Sequence, residues 1–124
     1  MIYADTDFFL ALLKPSDWLQ RRARELAQEH EGDLWTSPVT IIELLLLAKR
    51  RELDPERLIV DALQIAQLQH SDAQVFLRAA RYMREHRAGV FDAVHAGYCG
   101  DDEIISSDMI FDKIGLKRIA LEAH

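Results

Sequence analysis

Four carboxylates stand where an α/β fold alone would not choose them. Asp5 follows the apolar run Ile2-Tyr-Ala, and Glu43 interrupts the apolar stretch Val39 to Ala48. Asp92 lies inside Val90 to Ala96, and Asp108 follows Ile104 to Ser107. Carboxylates brought together repel one another, so such a cluster takes up protons or shares a cation. Oxygen donors without His or Cys suit Mg²⁺ or Mn²⁺. One or two ions held this way activate water and steady a leaving oxygen, which is the chemistry of two-metal hydrolysis.

Each acid also has a simpler meaning. Asp5, Asp92 and Asp108 suit helix N-termini, where a carboxylate caps free amides and meets the positive end of the dipole. Glu43 has Val39, Thr40, Leu46 and Leu47 as its helical neighbours, so no cation is there to pair with it. Either it serves a site or an Arg from elsewhere in the fold answers it. Ser106 positions a water or an acid, or is only a turn residue. Asp112, one helical turn after Asp108, faces the same metal or is solvated. Asp7 adds negative charge to the site or, as preferred here, caps the first helix; His95 touches the site or, as preferred here, pairs with Asp92 along the helix. Arg78, Arg81 and Arg84 recur near one helical face; they hold RNA phosphates or make a solvated surface.

The elements that must position these residues follow from periodicity and punctuation. Residues 2–5 are a first strand, and Thr6 to Leu13 a helix ended by Lys14-Pro15. Ser16 or Asp17 caps a helix to about His30, with Trp18, Leu19, Ala23, Leu26 and Ala27 on its apolar side. Residues 34–36 form a second strand. Ser37-Pro38 starts a helix running to Arg51, and Asp54-Pro55 another to about Leu68. A poor strand falls near Gln69 and His70. A helix from Ser71 or Asp72 to about His86 turns Val75, Phe76, Ala79, Ala80 and Met83 inward. A short helix from Val90 to about Gly97 is followed by a strand at 103–107, a helical turn to Ile114 and a last strand at 116–121. Helices between successive strands imply right-handed crossovers, a parallel sheet and a three-layer α/β/α sandwich. Asp5 and Asp108 then fall at carboxyl ends of strands, where open α/β sheets bind ligands.

Composition narrows the class. At 124 residues the chain reads as a single domain, 1–124, with 49% hydrophobic and 29% charged residues. No apolar run approaches the roughly 20 residues of a membrane span. The N-terminal apolar stretch carries Asp5 and Asp7 and no basic leader, so it is not read as a signal peptide. Cys99 is the one cysteine, which excludes an intramolecular disulfide. A cytoplasmic location is the expectation. The formal charge of −6 argues against a generally basic nucleic-acid binder and leaves local patches open.

Taken in order, Tyr-Ala-Asp5-Thr-Asp-Phe-Phe, Ser-Pro-Val-Thr-Ile-Ile-Glu43, Val-Phe-Asp92-Ala-Val-His-Ala and Ile-Ile-Ser106-Ser-Asp108-Met-Ile-Phe resemble the four acidic motifs of PIN domains. The closing Asp112-Lys-Ile-Gly-Leu-Lys-Arg-Ile is similar to that family's C-terminal segment, and in length and order the chain resembles the toxin subunit of VapBC toxin–antitoxin modules. The resemblance implies a Mg²⁺- or Mn²⁺-dependent endoribonuclease. Asp5, Glu43, Asp92 and Asp108 would be its catalytic and metal-binding residues. It further implies an RNA substrate, an antitoxin protein as partner and a homodimer. Two other readings compete: a catalytically silent PIN-like binding module, and a haloacid-dehalogenase-like phosphatase suggested by Asp5-Thr-Asp7 and Asp101-Asp102. The second pair precedes a strand where that fold needs it after one.

Overall fold

The computed structural model describes residues 1–14 and 17–123. Among these residues five parallel strands run β1 (Ile2–Ala4), β2 (Leu34–Thr36), β3 (Gln67–Leu68), β4 (Glu103–Ser106) and β5 (Arg118–Ala120). They lie in the order β3-β2-β1-β4-β5. In register, Tyr3 pairs with Trp35 on one side and with Ile104 on the other. Chain progress moves outward from β1 in both directions, so the point where strand order reverses lies between β1 and β4.

Among the described residues seven helices connect the strands: α1 (Thr6–Leu13), α2 (Gln20–Glu29), α3 (Pro38–Arg51), α4 (Pro55–Ile65), α5 (Gln74–His86), α6 (Val90–Cys99) and α7 (Ile110–Ile114). Successive strand side chains point to opposite faces. Ile2, Ala4, Leu34 and Ile105 therefore pack with Phe8, Phe9, Leu26, Leu44 and Ala62 under α1–α4. Tyr3, Trp35 and Ile104 pack with Ala96, Cys99 and Phe111 under α6 and α7. This is the expected three-layer sandwich. Among the described residues no helix is long and apolar enough to cross a membrane.

Local chemistry explains most boundaries. Asp54 accepts from the amides of Glu56 and Arg57 at 3.1 and 3.2 Å, with Pro55 next. Lys49, Arg50 and Arg51 close α3 at the negative end of its dipole. Gly115 ends α7 at φ 103°, a left-handed conformation open to glycine.

Several expectations fail. The helix after the first begins at Gln20, because Asp17 instead holds the Leu19 amide at 2.9 Å in a turn. Ser16 and the helix stop at Pro15 lie outside the described residues. Trp18 precedes that helix and is 75% exposed, so it is not a core residue. Helix α4 stops at Ile65, and the short strand is Gln67–Leu68, earlier than Gln69 and His70. In α5 only Val75 and Ala79 of the five expected inward residues are buried; Phe76, Ala80 and Met83 are exposed. A thirteen-residue helix meeting α6 along one narrow line buries a narrower stripe than its periodicity suggests.

That line includes Gly97, where an added Cβ would sit 2.5 Å from the carbonyl oxygen of Val75. Backbone leaves nowhere for it to go, so Gly97→Ala must part α5 from α6. A loss of about 1–3 kcal/mol is expected, read as a lower urea midpoint. An unchanged midpoint would mean the two helices are not packed this closely.

Candidate active site

The turn from β1 into α1 brings Asp5 to the carboxyl edge of the sheet. Asp5 is buried and caps α1, accepting from the Phe8 amide at 3.4 Å. The cap is thus Asp5 and not Asp7. Asp7 sits in the first turn of α1 and accepts from the Ser107 hydroxyl at 2.8 Å. That bond ties the β1 edge to the β4 edge. Asp108 ends the β4 turn; its amide donates to Ser106 Oγ at 2.9 Å and its carboxylate caps the Ile110 amide at 3.0 Å. Ser106 is fully buried at the end of β4 and shapes the loop that carries Asp108.

The two remaining acids arrive from opposite helical layers. Glu43 projects from α3 and Asp92 from the first turn of α6. The Thr6 hydroxyl donates to Glu43 Oε1 at 2.7 Å, and His95 Nε2 bonds the same oxygen. Glu43 therefore finds its partner in a histidine 52 residues away, not in an arginine. His95 correspondingly serves Glu43 rather than pairing with Asp92 along its own helix. On its other side, His95 Nδ1 lies 2.6 Å from the Tyr3 hydroxyl, which lies 2.7 Å from Ser37 Oγ. Ser37 makes no cap bond to α3, since its hydroxyl is committed to Tyr3.

Charge crowding is visible in the proton affinities. Burial pushes the Asp5 carboxyl up to about 7, and the Asp7 charge adds to it, against the pull of His95 and Ser106. Burial likewise raises Asp92 to about 6, with Asp108, Glu43 and Asp7 contributing repulsion and His95 opposing it. Burial would raise Glu43 too. The His95 hydrogen bond and charge, with Thr6, outweigh it and hold Glu43 below the usual glutamate range. Asp5, Asp7, Glu43, Asp92 and Asp108 thus share one electrostatic neighbourhood. Among the described residues no three such groups stand close enough to enclose a metal ion as the side chains lie. The donors are nevertheless hard oxygens carrying excess negative charge, which fits a divalent cation of the Mg²⁺ or Mn²⁺ type in chemistry and charge.

Other sequence candidates go elsewhere. Asp112 is taken by Arg118, at 2.9 and 3.1 Å, and points to structure rather than to the acid cluster. The same guanidinium holds Glu122 at 2.7 Å and the Ser106 carbonyl at 2.9 Å, stapling β5 to β4. Arg78 donates to the Gly97 carbonyl at 3.2 and 2.8 Å, locking α5 to α6. Arg81 lies over the Tyr82 ring, and Arg84 reaches Glu85. Asp102 accepts from the Trp35 indole at 2.8 Å just before β4, at the opposite sheet edge from Asp5. That removes the acidic pair the phosphatase reading requires.

Beside the acids lies a cleft of about 340 Å³ lined by Thr6, Asp7, Glu43, Leu46, Arg50 and Phe91, among others. In the sequence Arg50 stands out only as a member of the basic cluster Lys49-Arg50-Arg51. Its position one turn beyond Leu46 and Leu47, seven residues after Glu43, places it on the flank that Glu43 presents, and that spacing was the available signal.

The family model described as PIN domain matches residues 2–117. No curated protein matches the chain in sequence. Among solved structures, a toxin–antitoxin complex from Klebsiella pneumoniae aligns at TM-score 0.79 and 16% identity, covering 100% of each chain. The sarcin–ricin loop cleaving toxin VapC20 of Mycobacterium tuberculosis aligns at TM-score 0.78 and 20% identity, covering 94% of this chain and 96% of that one. FitAcB from Neisseria gonorrhoeae gives TM-score 0.78 at 20% identity, with 98% of each covered. The family match spans both edge aspartates and both helical acids, and on it the chain belongs to the PIN domain family.

Proposed function

We propose that this PIN domain is a Mg²⁺- or Mn²⁺-dependent endoribonuclease, the toxin of a toxin–antitoxin pair. The observation that carries it is the electrostatic neighbourhood that Asp5, Asp7 and Asp108 at the β1/β4 edge share with Glu43 of α3 and Asp92 of α6, in which Asp5 and Asp92 are pushed to about 7 and about 6. Such groups gain from a cation as no isolated surface acid would. Asp5, Glu43, Asp92 and Asp108 would hold it; Asp7 adds charge from the same edge. When bound, the cation would supply charge neutralisation and lower the pKa of water so that hydroxide is available to attack phosphorus. The chain's own residues orient and exclude. Ser107 fixes Asp7, Ser106 fixes the Asp108 loop, and Thr6 with His95 fixes Glu43. Acids that stay ionised accept the proton of the attacking water, and no side chain need become a nucleophile.

RNA is the proposed substrate, and single-stranded or looped regions suit an open cleft because their bases can be splayed. Incubation of a defined RNA set with Mg²⁺ or Mn²⁺ should give discrete cuts that a chelator stops. Intact RNA under all these conditions would sink the nuclease reading and leave a binding module. Within the cleft Arg50 is placed to meet a phosphate. Arg50→Glu should raise KM about tenfold, with kcat within about twofold and one fewer phosphate in the salt slope. A matching effect from Arg81→Glu would show general charge instead. An antitoxin partner is proposed because the similar structures include toxin–antitoxin complexes. Exposed Ile42, Leu45 and Leu46 on α3 would give it an apolar seat beside the cleft. A homodimer and a cytoplasmic location complete the proposal; light scattering of the purified chain checks the first.

A further inference from the structure

The buried polar chain from Ser37 to Glu43 goes beyond what the sheet needs. It crosses from the α3 layer to the α6 layer at the carboxyl edge, and each link is a side chain. His95 is 2% exposed and Tyr3 fully buried, so water does not compete for these bonds. Two donors, Thr6 Oγ1 and His95 Nε2, converge on Oε1 of Glu43. Among the described residues no hydrogen bond reaches Oε2, and Glu43 lines the open cleft. A carboxylate oxygen accepts, so Nε2 must carry the hydrogen. Nδ1 either accepts from the Tyr3 hydroxyl, with that oxygen accepting from Ser37, or, in the imidazolium, donates to the Tyr3 oxygen, whose hydroxyl then goes to Ser37. Burial holds the Tyr3 phenol far above its ordinary range, which keeps it a donor. In both forms each link of the chain is satisfied and Nε2–H faces Glu43.

We propose that His95 is a positioning residue: together with Thr6 it clamps Oε1 of Glu43 and so presents Oε2 to the divalent cation. The inference rests on the cation reading above and adds to it the residues that set one donor's direction. Outer partners of this kind orient a ligand before the ion arrives and lower the entropy lost on binding. In this site the effect is sharpened because Glu43 comes from a half-buried helical position whose longer side chain, unlike the aspartates, has free rotamers to lose.

The test compares His95→Leu, which removes the donor, with His95→Gln, whose amide nitrogen can stand near the position of Nε2. Mn²⁺ affinity by calorimetry should fall about 10–100-fold in His95→Leu and return to within about threefold in His95→Gln. Crystal structures grown without metal should show Glu43 in one rotamer in the parent and His95→Gln, and spread over several in His95→Leu. Thr6→Val, which removes the second donor at an adjacent site, should weaken Mn²⁺ in the same direction and serves if His95→Leu fails to fold. Parent-like Mn²⁺ affinity in His95→Leu or Thr6→Val, or equal weakening in the Leu and Gln variants at matched melting temperature, would overturn the positioning role alone. A parent protein that binds no Mn²⁺ would instead overturn the cation reading on which it rests.

Discussion

Asp92→Asn is expected to lower RNA cleavage by about 10²–10³-fold while leaving the fold intact, a loss on the scale of removing a main electrostatic contributor at a reacting centre. Asp92 sits half-buried in the first turn of α6, repelled by Asp108, Glu43 and Asp7. The amide keeps the size of the carboxylate and can still meet the helix end. It cannot carry charge, so it cannot offset a cation or take a proton from water. Because the native charge is held against its neighbours, removing it relieves repulsion. Stability without metal should therefore be equal or higher in the variant. Activity and stability moving in opposite directions is the signature that separates a functional acid from a structural one. Gel-resolved cleavage and a urea melt on the same preparation check both halves. Wild-type cleavage by Asp92→Asn would remove this acid from the mechanism, and collapse of the fold would make it structural.

The second large effect is on pH. Asp5 has a folded pKa near 7 against an ordinary 3.8. A raised pKa means that folding favours the protonated form. The stability linked to that proton is fully present below the unfolded value and is lost as pH rises through about 7. Asp92 adds a smaller loss of the same sign, complete once pH passes about 6. The metal-free protein should thus be less stable at about pH 8 than at about pH 5, against the usual direction for salt-bridged carboxylates. Asp5→Asn should stabilise the metal-free protein by about 1–3 kcal/mol at about pH 8, the scale of a few pKa units after relaxation, and by nearly nothing at about pH 4. Denaturant melts at the two pH values check it. Excess Mn²⁺ should reverse the order by binding the native parent, with a gain of about 2.7 kcal/mol at a hundredfold excess over Kd. A parent whose metal-free stability rises steadily from about pH 5 to pH 8 would show that Asp5 is not held against its charge.

Much of this was legible in the sequence because it is local. The apolar run before Asp5, the Ser37-Pro38 and Asp54-Pro55 starts and the strand before Asp108 each declare themselves within a few residues. Glu43 was conspicuous because nothing within a helical turn could answer it. What was not legible depends on contacts between distant segments. The partner of Glu43 is His95, reached across two layers. Asp112 is claimed by Arg118 from the next strand, and Arg78 by a carbonyl of the following helix. Spacing alone places all three side chains on plausible faces without saying who waits there. That Asp5 rather than Asp7 caps α1 has a local cause: two candidate caps stand two residues apart, and the choice is made by where β1 stops. Trp18 and Phe76 fell outside the core because neither helix neighbourhood is covered as broadly as an amphipathic pattern implies.

The central claim is that the five acids sharing the electrostatic neighbourhood of the β1/β4 edge are a cation site. Mn²⁺ titration by calorimetry, on the parent and on Asp5→Asn at about pH 7.5, tests it most directly. Saturable binding is expected in the parent, weakened in Asp5→Asn by about 100-fold or more, since a donor that contacts the ion should matter at least as much as an outer partner. No saturable binding by the parent, or equal binding by both proteins, would contradict the claim.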